Sequence, residues 1–159
     1  MKQLSNGISK IEKYLAIILM FSMAVIVTVA VVFRYFLNSP LSWAGEVSVF
    51  LLIWISFIGG SLGLKYKSQA SVTILTDYLP EKVQKALAVI SHIFMLLFLV
   101  ILLYFTYKWI FSPGVTFQKS SAMLLPMWIP YSAVPLGLTC AAIHLISNLL
   151  DLFRKETAQ

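Results

Sequence analysis

The chain has 159 residues, 60% of them apolar and only 11% charged, with a formal net charge of +6. A soluble domain carries about a quarter of its residues as charges, so this composition excludes one and places the chain in the membrane class. The lone Cys140 excludes an internal disulfide and a thiolate metal cluster, and the basic residues are dispersed rather than gathered into a nucleic-acid-binding patch.

In chain order, Leu4, Ile8, Ile11 and Leu15 recur at helical spacing among Lys10, Glu12 and Lys13. This predicts an amphipathic segment that lies on the membrane surface before turning into the first span. That span covers approximately 14–34 and closes at Arg34. It is too long for a signal-peptide core and no small-x-small site follows it before Arg34, so it is expected to stay attached. Ala24 and Thr28, four apart, mark either a close helix contact or a threonine bonded to its own backbone. Asn38-Ser39-Pro40 predicts a turn, with Ser39 read as a helix cap and Pro40 as the first helical residue. Arg34 and Glu46 then stand at the same end of two adjacent spans. They are predicted to pair, because ionisable groups near hydrocarbon are costly alone; the alternatives are that Arg34 snorkels to lipid phosphate while Glu46 favours the helix N-terminus, or that either bonds a partner protein.

The second span, approximately 43–64, opens with Trp43 at headgroup level. Val47–Leu64 supplies about 18 uncharged residues, enough to cross most of a hydrocarbon core. Trp54 falls mid-span, which points to packing or a protein contact. Gly59 and Gly63 form a Gly-x-x-x-Gly pattern that lets two helices approach closely. Ser68–Leu79 is too apolar for a free loop and is expected at the interface or against a partner.

Pro80 and Glu81 start a third helix in the favourable order, with a span at approximately 83–108. His92 is its notable polar residue, and Tyr104, Tyr107 and Trp109 form an aromatic belt. The fourth span, approximately 126–151, is irregular. Pro126, Pro130 and Pro135 interrupt its outer third around Trp128 and Tyr131, which predicts bending and a protein-facing or interfacial position. Below them Ala133, Gly137, Ala141, His144 and Asn148 share one face, expected to pack on the third span or on a larger partner. His92 and His144 lie at similar depth with no acid at that level. Two imidazoles are too few ligands for a metal, so neutral, interhelical hydrogen-bonding histidines are predicted.

The fold class is therefore an all-α integral membrane protein, a single membrane domain over 1–159 with four transmembrane helices and an amphipathic N-terminal segment. With the N-terminus inside, nine basic residues fall inside and three (Arg34, Lys108, Lys119) outside, so both termini are expected to be cytoplasmic. No paired carboxylates, phosphate loop, cofactor motif or activated serine is present at usable spacing. A carrier working alone needs polar groups and broken helices at the midplane, and those levels hold almost none. The chemistry points to a non-catalytic membrane subunit that supports another protein; the alternative is a stand-alone homo-oligomeric channel or carrier.

The stretch Phe33-Arg34-Tyr35-Phe36-Leu37-Asn38-Ser39-Pro40-Leu41-Ser42-Trp43-Ala44-Gly45-Glu46 resembles the small membrane subunit of tripartite ATP-independent periplasmic (TRAP) transporters. So do Leu52-Ile53-Trp54, Phe57-Ile58-Gly59-Gly60, Leu79-Pro80, Ser120-Ser121-Ala122, Leu125-Pro126-Met127-Trp128, Pro130-Tyr131 and Pro135-Leu136-Gly137. Arg34, Asn38, Trp43 and Glu46 match the family's corner. Gly45 departs from it, where many relatives carry a second Glu, as does Gln69-Ala70-Ser71, where a histidine is common. The resemblance implies a four-helix scaffold in the bacterial inner membrane, without cofactor, surrounded by lipid. Its implied partners are a large elevator-type membrane subunit that carries sodium and solute, and a periplasmic solute-binding protein that delivers it. The implied solute is an organic acid such as a C4-dicarboxylate or a sialic acid.

Overall fold

The computed structural model describes residues 1–66 and 80–156 of the chain. They form α1 (Lys2–Tyr35), α2 (Ser42–Lys65), α3 (Glu81–Ile110), the one-turn helices α4 (Pro113–Thr116) and α5 (Trp128–Tyr131), and α6 (Ala133–Glu156). Four stretches are long and apolar enough to cross a membrane: Lys2–Tyr35, Ser42–Lys65, Ala86–Ile110 and Trp128–Asp151. The expectation for Ser68–Leu79 lies outside the described residues.

The N-terminal segment does not turn before the first span. It runs on as part of one α-helix of 34 residues, about 51 Å long at about 1.5 Å per residue. Its polar residues explain this. Ser5, Ser9 and Glu12 are buried against the neighbouring helices, while Leu4, Ile11 and Tyr14 face outward. The polar side is thus held by the protein.

The turn at the other end also differs from the sequence reading. Asn38 takes φ 50, a left-handed conformation that Asn tolerates better than most residues. This lets the Ser39 N–H reach back to the Phe33 carbonyl at 3.1 Å. Helix α2 then begins only at Ser42, after an extended Leu41 and with no side-chain cap. Ser39 and Pro40 belong to the connector, and neither caps nor starts the helix.

The helices pack as a row, α1 on α2, α2 on α6, and α6 on α3, with α1 also touching α6. Half of the last span is buried inside the chain, against none of the most apolar part of α1. The α2–α6 contact is unusually close. A Cβ on Gly137 would stand 2.7 Å from Phe57 Cβ and 3.1 Å from the Phe57 carbonyl carbon and oxygen. Further along α6, Ala141 and Leu145 pack with Leu99 of α3, supported by Leu64, Met95, Leu96 and Leu138. The small-residue face of the fourth span is thus used up within the chain, by α2 as well as α3, and a larger partner does not need to cover it. Thr28 donates to its own helix at Ala24 O, 2.7 Å. Gly59 meets nothing within 4 Å, so the close contact expected of it is not made within the described chain; Gly63 is half-buried.

The prolines interrupt the last span without ending it, since Ser132 keeps helical angles (φ -62, ψ -18). Ser132 separates α5 from α6, and Pro130 and Pro135 are both buried. Pro135 falls in the first turn of α6, where backbone N–H groups lack helical partners in any case.

Gly137 should therefore be intolerant where Gly59 is not. Gly137→Ala is expected to cost about 1–3 kcal/mol through overpacking. Gly59→Ala should be neutral or slightly stabilising, within about 1 kcal/mol. Thermal melts of the purified chain in mild detergent measure both.

Candidate functional site: an acid-clamped loop and a buried polar tether

At the connector end, where 36–41 and 111–127 lie, Glu46 organises the longest described loop. Its Oε1 accepts the backbone N–H groups of Ser121 at 2.7 Å and Ala122 at 2.9 Å, and its Oε2 accepts that of Met123 at 3.2 Å. The loop is shaped for this. Lys119 and Pro126 form an isolated antiparallel bridge, Ser120 N–H bonds Leu125 O at 2.8 Å, and Met127 N–H bonds Gln118 O at 2.9 Å. Ser120 Oγ, itself buried, accepts the Leu125 N–H at 3.2 Å. Leu124 closes the turn at φ 55. Three successive N–H groups thus converge on one carboxylate, an anion-binding concavity filled from within the chain.

Glu46 is therefore not the partner of Arg34, contrary to the sequence reading. Arg34 is exposed, with its guanidinium 5.8 Å from the Tyr35 ring. The reason is register. Lys65 at the end of α2 bonds Ser5 of α1, and Leu15 and Leu19 line one cleft with Val47, Phe50, Leu51 and Trp54. Counting from there at about 1.5 Å per residue, Glu46 lies level with the region of Ala24, about 15 Å below Arg34. The connector runs back down along α1, so equal distance from the turn in sequence does not mean equal depth.

Other expected residues gather at this end. Tyr131 stacks on Trp109 with ring centroids 4.9 Å apart, joining α5 to α3. Trp54 and Pro130 line the cleft between α1, α2 and α5, a volume of about 330 Å³. Trp43, Trp128 and Asn38 are on the surface.

At the opposite end a second cluster forms around His144, which is wholly buried. Its Nε2 lies 2.8 Å from Glu12 Oε2, and its Nδ1 lies 2.8 Å from Ser5 Oγ. Lys65 donates to Ser5 Oγ and to Asn6 Oδ1, both at 2.6 Å. A carboxylate only accepts, so Nε2 carries the proton. In the neutral imidazole Nδ1 then accepts from the Ser5 hydroxyl. With that tautomer every donor in the chain Lys65–Ser5–His144–Glu12 points the same way. Asn148 adds a bond from Nδ2 to Leu64 O at 2.9 Å. His144 and Asn148 thus make the expected interhelical bonds. The expectation that no acid reaches their level is corrected, because the unbroken α1 carries Glu12 down beside α6. His92 plays no part; its Nδ1 donates to Ala88 O of its own helix at 2.7 Å. Among the described residues no group of acidic, His and Cys side chains could hold a metal.

Serine, histidine and acid are the groups of a hydrolytic triad. Here Ser5 is 0% exposed and its oxygen already accepts from Lys65, so no substrate could reach it. The cluster is a tether that fastens the start of α1 to the ends of α2 and α6.

A four-span helical chain with a clamped loop at one end and a polar tether at the other defines a small integral membrane subunit. Its sequence matches the family described as tripartite ATP-independent periplasmic transporters, DctQ component, over residues 23–155, and the chain belongs to that family. It is 31% identical to a TRAP transporter small permease protein of Haemophilus influenzae, covering 98% of both chains. It is 23% identical to the sialic acid TRAP transporter small permease protein of Vibrio cholerae, over 97% of this chain and 88% of that one. A 29% identical match to the isethionate TRAP transporter permease protein of Oleidesulfovibrio alaskensis takes in 67% of this chain but only 17% of that longer protein.

Three outcomes follow from the geometry. Glu46→Ala removes the shared acceptor of three exposed loop N–H groups and should loosen the loop and lower the melting temperature modestly, because water can replace the carboxylate. Combined with Arg34→Ala the losses should add to within about 0.5 kcal/mol, because the two residues are far apart. Glu12→Ala, which leaves the buried His144 N–H without its acceptor, should cost about 1–3 kcal/mol. Melts of the purified single and double variants decide all of these.

Proposed function

We propose that this chain is the non-catalytic scaffold subunit of a sodium-coupled TRAP transporter for a small organic acid in the bacterial inner membrane. It holds the large permease subunit on the outward faces of its helix row, and both termini are cytoplasmic. The connector end, with Arg34, Asn38, Trp43 and the Glu46-clamped loop, then faces the periplasm, where a solute-binding protein docks.

One observation carries the scaffold reading. The polar groups within the described spans are largely consumed by the fold itself, with Glu12 Oε1 and the Ser61 hydroxyl the two buried atoms left without a partner, both near the termini end. Thr28, Ser48, Ser91 and Thr106 donate to carbonyls of their own helices, and His144 and Asn148 bond neighbouring helices. They leave no polar line for a solute to follow, whereas transport sites need such groups near the midplane. The match to one segment of a longer permease protein supports a large membrane partner. Relatives named for C4-dicarboxylate and for sialic acid support an organic acid as the solute.

Orientation is tested by labelling. With Cys140 replaced by Ala, a cysteine at Asn38 should react in intact cells with a membrane-impermeant thiol reagent, and one at Lys2 should react only after lysis. The reverse pattern contradicts the orientation. Partner binding is tested by tagging this chain, co-expressing the large permease subunit, and purifying in mild detergent. The two are expected to elute together, and separate elution contradicts the scaffold reading.

A further inference from the structure

Besides the cleft lined by Trp54, the connector end has a second cleft, of about 400 Å³, between α3, α4, α5 and the start of α6. Tyr107, Ile110, Phe111, Thr116, Trp128 and Leu136 are among its lining residues. The hydroxyls in its wall are already spent. Thr116 donates to Ser112 O, Ser132 to Ile129 O, and Thr139 to Pro135 O. The only proton left for the 3.1 Å contact between Tyr107 and Thr139 is therefore that of the tyrosine. What remains to meet a ligand is aromatic and aliphatic surface, with Phe111, Trp128 and Leu136 standing open at its edge.

The charge beside the cleft is one-sided. Lys119 lies three residues beyond Thr116, and its backbone bridges Pro126, two residues before Trp128, so its backbone adjoins the lining residues Thr116 and Trp128. It forms no ion pair among the described residues, and neither does Lys108. The one acid at this end, Glu46, has both oxygens engaged by loop N–H groups. An apolar slot with an unpaired lysine in the loop that adjoins it, within a belt of Tyr104, Tyr107, Trp109 and Trp128, suits an amphiphile with an anionic head at headgroup depth, the long side chain of Lys119 reaching toward it. Size argues against a helix as occupant. One turn of α-helix about 10 Å wide takes up roughly 420 Å³, so the cleft would not admit a full turn.

We propose that this cleft binds a phospholipid, with an acyl chain against Ile110, Phe111, Trp128 and Leu136 and the phosphate at Lys119. The assignment to the periplasmic leaflet rests on the orientation proposed above. Binding itself does not, and thiol labelling reports the orientation separately.

Native mass spectrometry of the full chain, released from mixed micelles of detergent and phosphatidylglycerol, measures retained lipid directly. The wild-type chain is expected to retain phospholipid. Leu136→Trp, which fills the slot from a half-exposed position, should retain about tenfold less. Lys119→Glu should lose the lipid, and Lys119→Arg should keep it. Melting temperatures of the variants check folding. If Leu136→Trp fails that check, Phe111→Ala, which removes one wall, replaces it with the same expected loss. Equal retention by the wild type and the slot and charge variants overturns the proposal. So does a cleft variant that retains lipid normally but no longer assembles with the large permease subunit or with a second copy, because the cleft would then be a protein contact.

Discussion

The arrangement depends on the contact of Gly137 with the backbone of Phe57. Between membrane helices there is little hydrophobic driving force, since lipid is as apolar as leucine, so association rests on close packing and on hydrogen bonds. Gly137 supplies the close packing, with no room for even a methyl group. That contact seats α6 against α2, and α6 is then the helix on which α3 packs through Ala141, Leu145 and Leu99. The hydrogen bonds follow from the same seating. Only with α6 in place can His144 reach Ser5 and Glu12, and Asn148 reach the last turn of α2. Packing and polar bonding are thus concentrated on one central helix, and the other three keep broad outward faces.

A row of helices does in one layer what a closed bundle does in two, at a cost in buried surface. In water this would be untenable for so apolar a chain. In a bilayer the uncovered faces meet lipid or a partner with no such penalty, which is compatible with the proposed scaffold role. The two ends are finished differently. At the termini end the polar chain from Lys65 to Glu12 ties α1, α2 and α6 together. At the connector end the carboxylate of Glu46 ties to α2 a loop that its own bridge and hydrogen bonds have already shaped.

Much of this was legible in the sequence, and the rest was hidden for identifiable reasons. The four long apolar stretches and the small, protein-facing side of the last one follow from composition and helical spacing, and His144 and Asn148 fall where that spacing puts them. The resemblance carried by the Arg34 to Glu46 stretch named the family correctly. Depth was what the sequence could not give. The symmetric-hairpin reading assumed that Arg34 and Glu46, each a few residues from the turn, sit side by side. An α1 that extends to Tyr35 and a connector that doubles back separate them. The same register brings Glu12 down to His144, which a surface-lying N-terminal segment would not allow. The clamp on 121–123 uses backbone N–H groups, which leave no trace in side-chain identity. Its one available signal was that an acid in an apolar helix end needs a partner, and Ser120-Ser121-Ala122 was quoted without being joined to it.

The central claim is that this chain supports transport without itself forming the path. Solute uptake into sodium-loaded or sodium-free proteoliposomes tests it directly. The vesicles would hold this chain alone, the large permease subunit alone, or both, each with the solute-binding protein added outside. Uptake only when both membrane chains are present, and only down an inward sodium gradient, is the predicted result. Uptake by vesicles that contain this chain without the large subunit would contradict the account.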